Sequence, residues 1–262
     1  MGGRFEGKVV LVTGGNRNTG LDIVEKFARE GAKVYMCGSG EESTAKGAEK
    51  LVERGLSGIT AKACDISDPA QVAALLDLVE KDAGHLDILV NNAANQGIGH
   101  GGPLEMDPEL FFDVFKTNVV GGFRVTQAAC NRFFMKQDSR GAVVFLSSNT
   151  AMRAIRSRTA YCSSKGAINS MVRALALDLA PLGIRVNCCA PGYINTDRWD
   201  ALAPETAARR RLNCPLRKEA TGRDIANVVA FLASDDSANM TGEIVTCDAG
   251  CSCQHMPEDV DF

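Results

Sequence analysis

Tyr161 and Lys165 stand four residues apart in YCSSK, at the start of a stretch with helical period. On a helix that spacing projects both side chains from one face. An ammonium beside a phenol favours the phenolate, drawing a group of reference pKa about 10 toward the range of a general acid and base near neutrality. YxxxK alone is a common pattern, so its weight comes from other parts of the chain. Upstream, Ser148 ends the apolar run VVFLSS. A strand there sets the hydroxyl at the carboxyl edge of a sheet, where open α/β proteins bind ligands. It can hydrogen-bond a carbonyl oxygen; the alternative is a serine that satisfies its own loop backbone.

A second constellation is TGGNRNTGL, Thr13 to Leu21, which follows an apolar run and opens an amphipathic segment. Glycines in such a turn let the backbone approach a pyrophosphate, and unpaired N–H groups at a helix N-terminus face its negative charge. The strand-turn-helix setting raises this above a glycine-rich turn without a ligand.

These residues need a scaffold, and the chain alternates apolar runs of strand length with segments of helical period throughout. That alternation is the mark of a parallel sheet covered by helices on both faces. Seven strands are expected: Lys8 to Gly14, Lys33 to Gly38, Ile59 to Ile66, Leu86 to Ala93, Ala142 to Ser148, Ile184 to Ala190 and Glu243 to Asp248. Helices are expected over Leu21 to Glu30, Glu41 to Glu53, Pro69 to Asp82, Pro108 to Lys136, Tyr161 to Ala180 and Arg223 to Ala233. The Tyr161 helix is the clearest, with Ile168, Met171, Val172, Leu175 and Leu179 in one apolar stripe. Residues 193–221 are long for a connector and carry Trp199, Leu202, Pro204 and Pro215; they read as a substrate cover, helical over Pro204 to Leu212. Residues 251–262 read as a tail or a subunit contact.

With 262 residues, 45% of them hydrophobic, the chain is expected to form one domain, 1–262, around one core. A net charge of -3 leaves no basic excess to neutralise phosphates, which argues against nucleic acid as a partner. No run approaches the roughly eighteen apolar residues that span a bilayer, so no membrane association is expected. Ten cysteines without a regular framework read as reduced thiols in a cytoplasmic protein. Cys247, Cys251, Cys253 and His255 crowd together but lack paired CxxC spacing, and no metal site is expected. Adjacent Cys188 and Cys189 should point to opposite faces of their strand.

Taken in order along residues 6–250, these motifs resemble the short-chain dehydrogenase/reductase family. TGGNRNTG is similar to its TGxxxGxG turn, NNAA at Asn91 to Ala94 to its NNAG, and PGYINT, Pro191 to Thr196, to its PGxxxT. The resemblance implies a single doubly wound Rossmann-type domain. It also implies a catalytic set of Asn118, Ser148, Tyr161 and Lys165. The dinucleotide would then be held by Gly14, Asn16, Arg17, Asn18, Thr19 and Gly20 at the pyrophosphate turn and by Ser39 at the ribose. Asp65 and Ile66 would lie at the adenine, followed by Asn92 and Ala93. Tyr161 and Lys165, with Pro191, Gly192, Ile194 and Thr196, would take the nicotinamide end. The chain departs from the pattern at Asn18, where the turn has its middle glycine, and at Ala94. Asparagine tolerates positive φ better than most residues, so Asn18 is expected to keep the turn.

By the same resemblance the chain is an oxidoreductase that interconverts an alcohol and a carbonyl. Where relatives that prefer NAD set a carboxylate at the end of the second strand, this chain has Gly38 and Ser39, and Arg17 occupies the place of a phosphate-binding cation. NADP(H) is expected, with NAD(H) as the alternative; Glu41 and Glu42 argue the other way. The substrate is expected to be bulky and hydrophobic, a hydroxysteroid first and a 3-oxoacyl thioester second. Its pocket is expected near Gln96 to His100, Asn149 to Ile155 and Tyr193 to Leu202. Carrier-protein-dependent relatives place basic docking residues where this chain has Ser139 and Leu182. The rival of another class is a non-catalytic dinucleotide-sensing protein. The family usually assembles as symmetric homotetramers through the helices at Pro108 to Lys136 and Tyr161 to Ala180, so a tetramer or dimer is expected.

Overall fold

The computed structural model describes residues 3–98 and 102–256; His100 and residues 257–262 of the expected tail lie outside that range. Seven strands form one sheet: β1 (Val9–Thr13), β2 (Lys33–Gly38), β3 (Ile59–Ala63), β4 (Ile88–Asn91), β5 (Ala142–Leu146), β6 (Arg185–Pro191) and β7 (Ile244–Cys247). Their order is β3-β2-β1-β4-β5-β6-β7, and every adjacent pair is parallel. This is a doubly wound Rossmann-type α/β fold.

The central strands read as unbroken apolar runs because both of their faces are covered. Val9 and Leu11 of β1, Leu89 of β4, and Val143 and Phe145 of β5 enter one core cluster, together with Val72 and Leu75 of α3 (Pro69–Ala83). Val10, Val12, Ile88, Val90, Val144 and Leu146 enter the other, against α1 (Asn18–Arg29) and α9 (Gly222–Ala233). Cys188 and Cys189 divide in the same way, one to each cluster, as the strand period requires.

The remaining helices are α2 (Glu41–Glu53), α4 (Pro108–Phe115), α5 (Gly122–Ala129), α6 (Thr159–Leu179), α7 (Asp197–Asp200) and α8 (Pro204–Leu212). The expected continuous helix from Pro108 to Lys136 is not one regular element. Its path widens into π turns at Lys116–Gly121 and Cys130–Phe134. Such bulges follow a side chain that must be turned to meet a partner, and Asn118 lies in the first of them. The 193–221 segment holds α7 and α8, and its ends are tied by a parallel bridge between Ile194 and Ala220.

Under the site, Asn91 Nδ2 donates to Thr126 Oγ1 at 2.9 Å, and that hydroxyl donates on to Gly122 O at 2.8 Å. Asn91 Oδ1 is buried without a partner among the described residues. Thr126→Val removes the acceptor and leaves both ends of the amide unpaired. A loss of about 1–3 kcal/mol is expected, read as a lowered melting temperature.

Candidate active site

Strand order reverses between β1 and β4, so their following segments leave on opposite faces and open a crevice at the carboxyl edge. Gly14 takes φ 63 at the start of the turn. At Gly20 a Cβ would fall 1.9 Å from Gly14 O, so any side chain there displaces the turn. Asn18 adopts φ 48, keeping the left-handed bend in place of glycine as expected. Arg17, the N-cap of α1, makes no side-chain capping bond, and no acid occupies the first turn. The N–H groups of that turn therefore remain for an anion such as a pyrophosphate. The chain fits a dinucleotide there.

Asn92 is spent on holding this turn. Its Nδ2 donates to Thr13 O and Gly14 O at 3.1 and 2.8 Å, while Thr13 Oγ1 accepts from the Asn92 and Ala93 N–H groups. Asp65 accepts from Ser67 N at 2.8 Å and is half-buried, followed by buried Ile66. Ser39 is exposed at the end of β2 beside Asn16, whose Nδ2 donates to Ser43 Oγ at 3.0 Å. Across the crevice, Gly192 N donates to Cys247 O, and Pro191 closes β6. Ile194 and Thr196 lead into α7. With its amide turned to donate, Asn18 reaches the Asp197 carboxylate oxygens at 3.2 and 3.3 Å, joining the glycine turn to the cover.

Ser148 follows β5, and its Oγ accepts from Thr150 N at 3.2 Å at the head of a short 3-10 turn. The first turn of α6 presents Tyr161 to it. Burial raises the Tyr161 pKa; the Ser148 hydroxyl and the positive charges of Arg158 and Arg198 act the other way. Lys165 Nζ sits 5.5 Å from the Tyr161 ring centroid and donates to Leu146 O at 2.8 Å. Lys165 is 3% exposed, and burial pushes its own pKa down to about 8.

Asn118 Oδ1 accepts from Asn95 N at 2.7 Å, and Nδ2 donates to Asn95 O and Ser164 Oγ, both at 2.9 Å. Ser164 Oγ donates in turn to Tyr161 O at 2.8 Å. Asn95 and Ser164 were not singled out from sequence, although each adjoins a motif that was, in NNAAN and YCSSK. Nor was Asp248, which accepts from Asn149 Nδ2, Gly250 N and Ser252 N and fixes the C-terminal turn beside Ser148.

Met152 and Ile155 are about half exposed at the mouth of the site. Trp199 is buried instead, 5.8 Å from the Tyr193 ring and covered by Arg210 and Arg211, so it fastens α7 to α8 rather than facing a ligand. Ser139 and Leu182 precede β5 and β6, at the opposite edge of the sheet from Ser148 and Tyr161. Among the described residues no three His, Cys, Asp or Glu side chains converge on a possible metal site. Cys251 Sγ accepts from Asn213 Nδ2 at 3.3 Å, and Arg153 donates to Cys251 O, so this part of the expected tail is anchored.

A family profile described as enoyl-(acyl carrier protein) reductase matches residues 15–252. The chain belongs to the short-chain dehydrogenase/reductase family. It is an oxidoreductase of that family, whose members use a nicotinamide dinucleotide. The 3alpha-hydroxysteroid dehydrogenase of Mediterraneibacter gnavus is 37% identical over 93% of this chain and 96% of its own. The 3-oxoacyl-[acyl-carrier-protein] reductase FabG of Escherichia coli is 32% identical over 94% and 98%. The crystal structure of gox2181 superposes with a TM-score of 0.88 at 30% identity, covering 95% of this chain and 97% of that one. No helix among the described residues is long and apolar enough to cross a membrane.

The Lys165 charge has a stability consequence. The unfolded chain keeps this proton up to about the ordinary value of 10.5, the folded one only to about 8. Below pH 8 the folded state therefore carries a buried charge costing on the order of 3 kcal/mol, and that cost fades as pH rises from about 8 to 10.5. Lys165→Met should melt a few degrees higher than wild type at pH 7 without dinucleotide. The difference should narrow steadily above pH 8 in thermal scans.

Proposed function

We propose that the protein interconverts a hydrophobic secondary alcohol and a ketone with NADP(H), using Tyr161 as proton donor and acceptor. The observation that carries this reading is the meeting of Tyr161, Ser148 and Lys165 at the carboxyl edge of the sheet, beside the open first turn of α1. When bound, the dinucleotide supplies or accepts a hydride; the protein supplies geometry and proton control. Gly14, Asn16, Arg17, Asn18, Thr19 and Gly20 hold its pyrophosphate side, and Asp65, Ile66, Asn92 and Ala93 its adenosine side. Pro191, Gly192, Ile194 and Thr196 hold the carboxamide. Ser148 donates to the substrate oxygen, and Tyr161 gives that oxygen a proton in reduction and removes it in oxidation. Lys165 binds the nicotinamide ribose. Asn118 keeps a water near Lys165 with the lone pair of Oδ1 that Asn95 leaves over.

The preference for NADP(H) is supported at the end of β2. Gly38 has no side chain, so the carboxylate that binds ribose hydroxyls in NAD-preferring relatives is missing, and the Asn16 side chain occupies the space where a Cβ would stand. Glu42 is drawn to Lys46 at 2.5 Å on the exposed face of α2. Arg17 is exposed and offers a guanidinium to a 2′-phosphate. The similarity to a 3alpha-hydroxysteroid dehydrogenase and the apolar Met152 and Ile155 support a hydroxysteroid. The acyl-carrier reductases among the relatives support a 3-oxoacyl thioester as the second reading. Ser139 and Leu182 do not weigh against it, because they stand at the far edge of the sheet. Residues 193–221 act as the substrate cover of a single cytoplasmic domain. Phe112, Val120, Phe123 and Leu177, all exposed on the helices expected at subunit contacts, support a homo-oligomer.

Tyr161→Phe should lower kcat by about 100-fold or more while leaving dinucleotide affinity within a few fold, since only the proton-carrying oxygen is lost. Retention of a tenth of the wild-type rate would refute the role. Comparing kcat/KM for NADPH and NADH should show NADPH preferred, and Arg17→Ala should narrow that preference about tenfold. A wild-type preference for NADH, or an Arg17→Ala preference unchanged from wild type, removes the cofactor assignment.

A further inference from the structure

Two guanidiniums meet over the substrate side of the site, and neither belongs to the set Asn118, Ser148, Tyr161 and Lys165. Arg158, the N-cap of α6, donates from Nη1 to Gln96 O at 2.6 Å. Arg198 of α7 donates from Nη1 to the Gln96 side-chain oxygen. Both charges act on Tyr161, where they favour the phenolate, and their bonds to Gln96 lie on the solvent-facing side of the site. Their common partner is a neutral amide. Among the described residues no carboxylate forms an ion pair with Arg158, Arg198 or the neighbouring Arg17. Asp197, adjacent to Arg198 in sequence, faces the Asn18 amide instead. Burial and the charges of Arg158 and Arg17 together hold Arg198 below the usual guanidinium range.

Like charges gathered with no counter-ion among the described residues oppose folding, and a bound anion would relieve that repulsion. The surroundings agree. Arg158 makes no side-chain capping bond, and the first turn of α6 contains no acid, so its unpaired N–H groups add to the positive field. Ser157, just before it, is held at φ 58, a left-handed conformation costly for a residue with a Cβ. That bend sets where Arg158 enters the cleft. Each guanidinium has five N–H donors, and one of them is occupied here.

We infer that Arg158 and Arg198 form a carboxylate-binding pair, and that the natural substrate is a hydrophobic ketone or alcohol bearing a carboxylate a few bonds from the reacting carbon. The inference rests on the oxidoreductase reading of the same site. The carboxylate bridges the two guanidiniums in place of Gln96, drawing α7 toward the head of α6 and the cover over the reacting carbon. Tyr161 loses the help of two cations as they are neutralised, so its proton stays on until the substrate oxygen takes it.

The test measures binding, independent of turnover. Protein saturated with NADP is titrated by calorimetry with 4-oxo-4-phenylbutanoate, with the homologous 5-oxo-5-phenylpentanoate, and with the methyl ester of each. In wild type at least one acid should bind about tenfold or more tightly than its ester, as expected for charge-assisted hydrogen bonds. The ratio should fall to about twofold or less in Arg158→Met and in Arg198→Met, with dinucleotide affinity and melting temperature near those of wild type. Equal affinity of acid and ester in wild type, including binding of neither, overturns the inference. So does a variant that loses NADP affinity and keeps the acid-to-ester ratio, since the pair then serves the pyrophosphate. Turnover by Tyr161→Phe would sink the enzymatic reading separately, leaving the binding ratio to judge the carboxylate.

Discussion

Two parallel strands that lie side by side but hand their chains to opposite faces of a sheet cannot keep company beyond their last hydrogen bond. β1 and β4 are such a pair, and every candidate ligand contact in this molecule depends on the gap they leave. Thr13 stands at the lip of it, its hydroxyl accepting from the chain that leaves β4, while Asn92 reaches back to the chain that leaves β1. The turn and the crevice are thus held by the same few bonds. On the other side, β5 and β6 bring Ser148 and the 191–196 segment to the same edge, and α6 returns across it with the tyrosine and lysine.

Against that frame the most expensive element is a cation. Lys165 lies under the sheet edge with one backbone carbonyl for company, and the free protein holds its charge only weakly. The site accepts a destabilised group because a ligand with hydroxyls to offer repays the desolvation. Tyr161 is also buried, so burial disfavours the charged form of both members of the pair.

The strands and most helices were legible in sequence because burial on both faces writes them as continuous apolar runs, and because Pro and Asp mark the starts of α3 and α4. The positive φ of Asn18 was legible from its place in the turn. Three features were not. The π stretch at Lys116–Gly121 obeys contacts of Asn118 with Asn95 and Ser164, which local propensity does not encode. The solvation of Lys165 follows from depth, whereas spacing reports only neighbours. Gln96, Arg158 and Arg198 are joined across separations of 62 and 102 residues, so nothing in their local sequence announces the cluster.

Asp248 carries one more implication. Its carboxylate secures Asn149, the residue after Ser148, and folds the turn that follows β7 back onto it. Synthesis from the N-terminus delivers that carboxylate only after all seven strands. Until it arrives, the corner bearing Ser148 lacks that strut. The order of synthesis therefore makes the corner bearing Ser148 one of the last parts of the sheet edge to be braced.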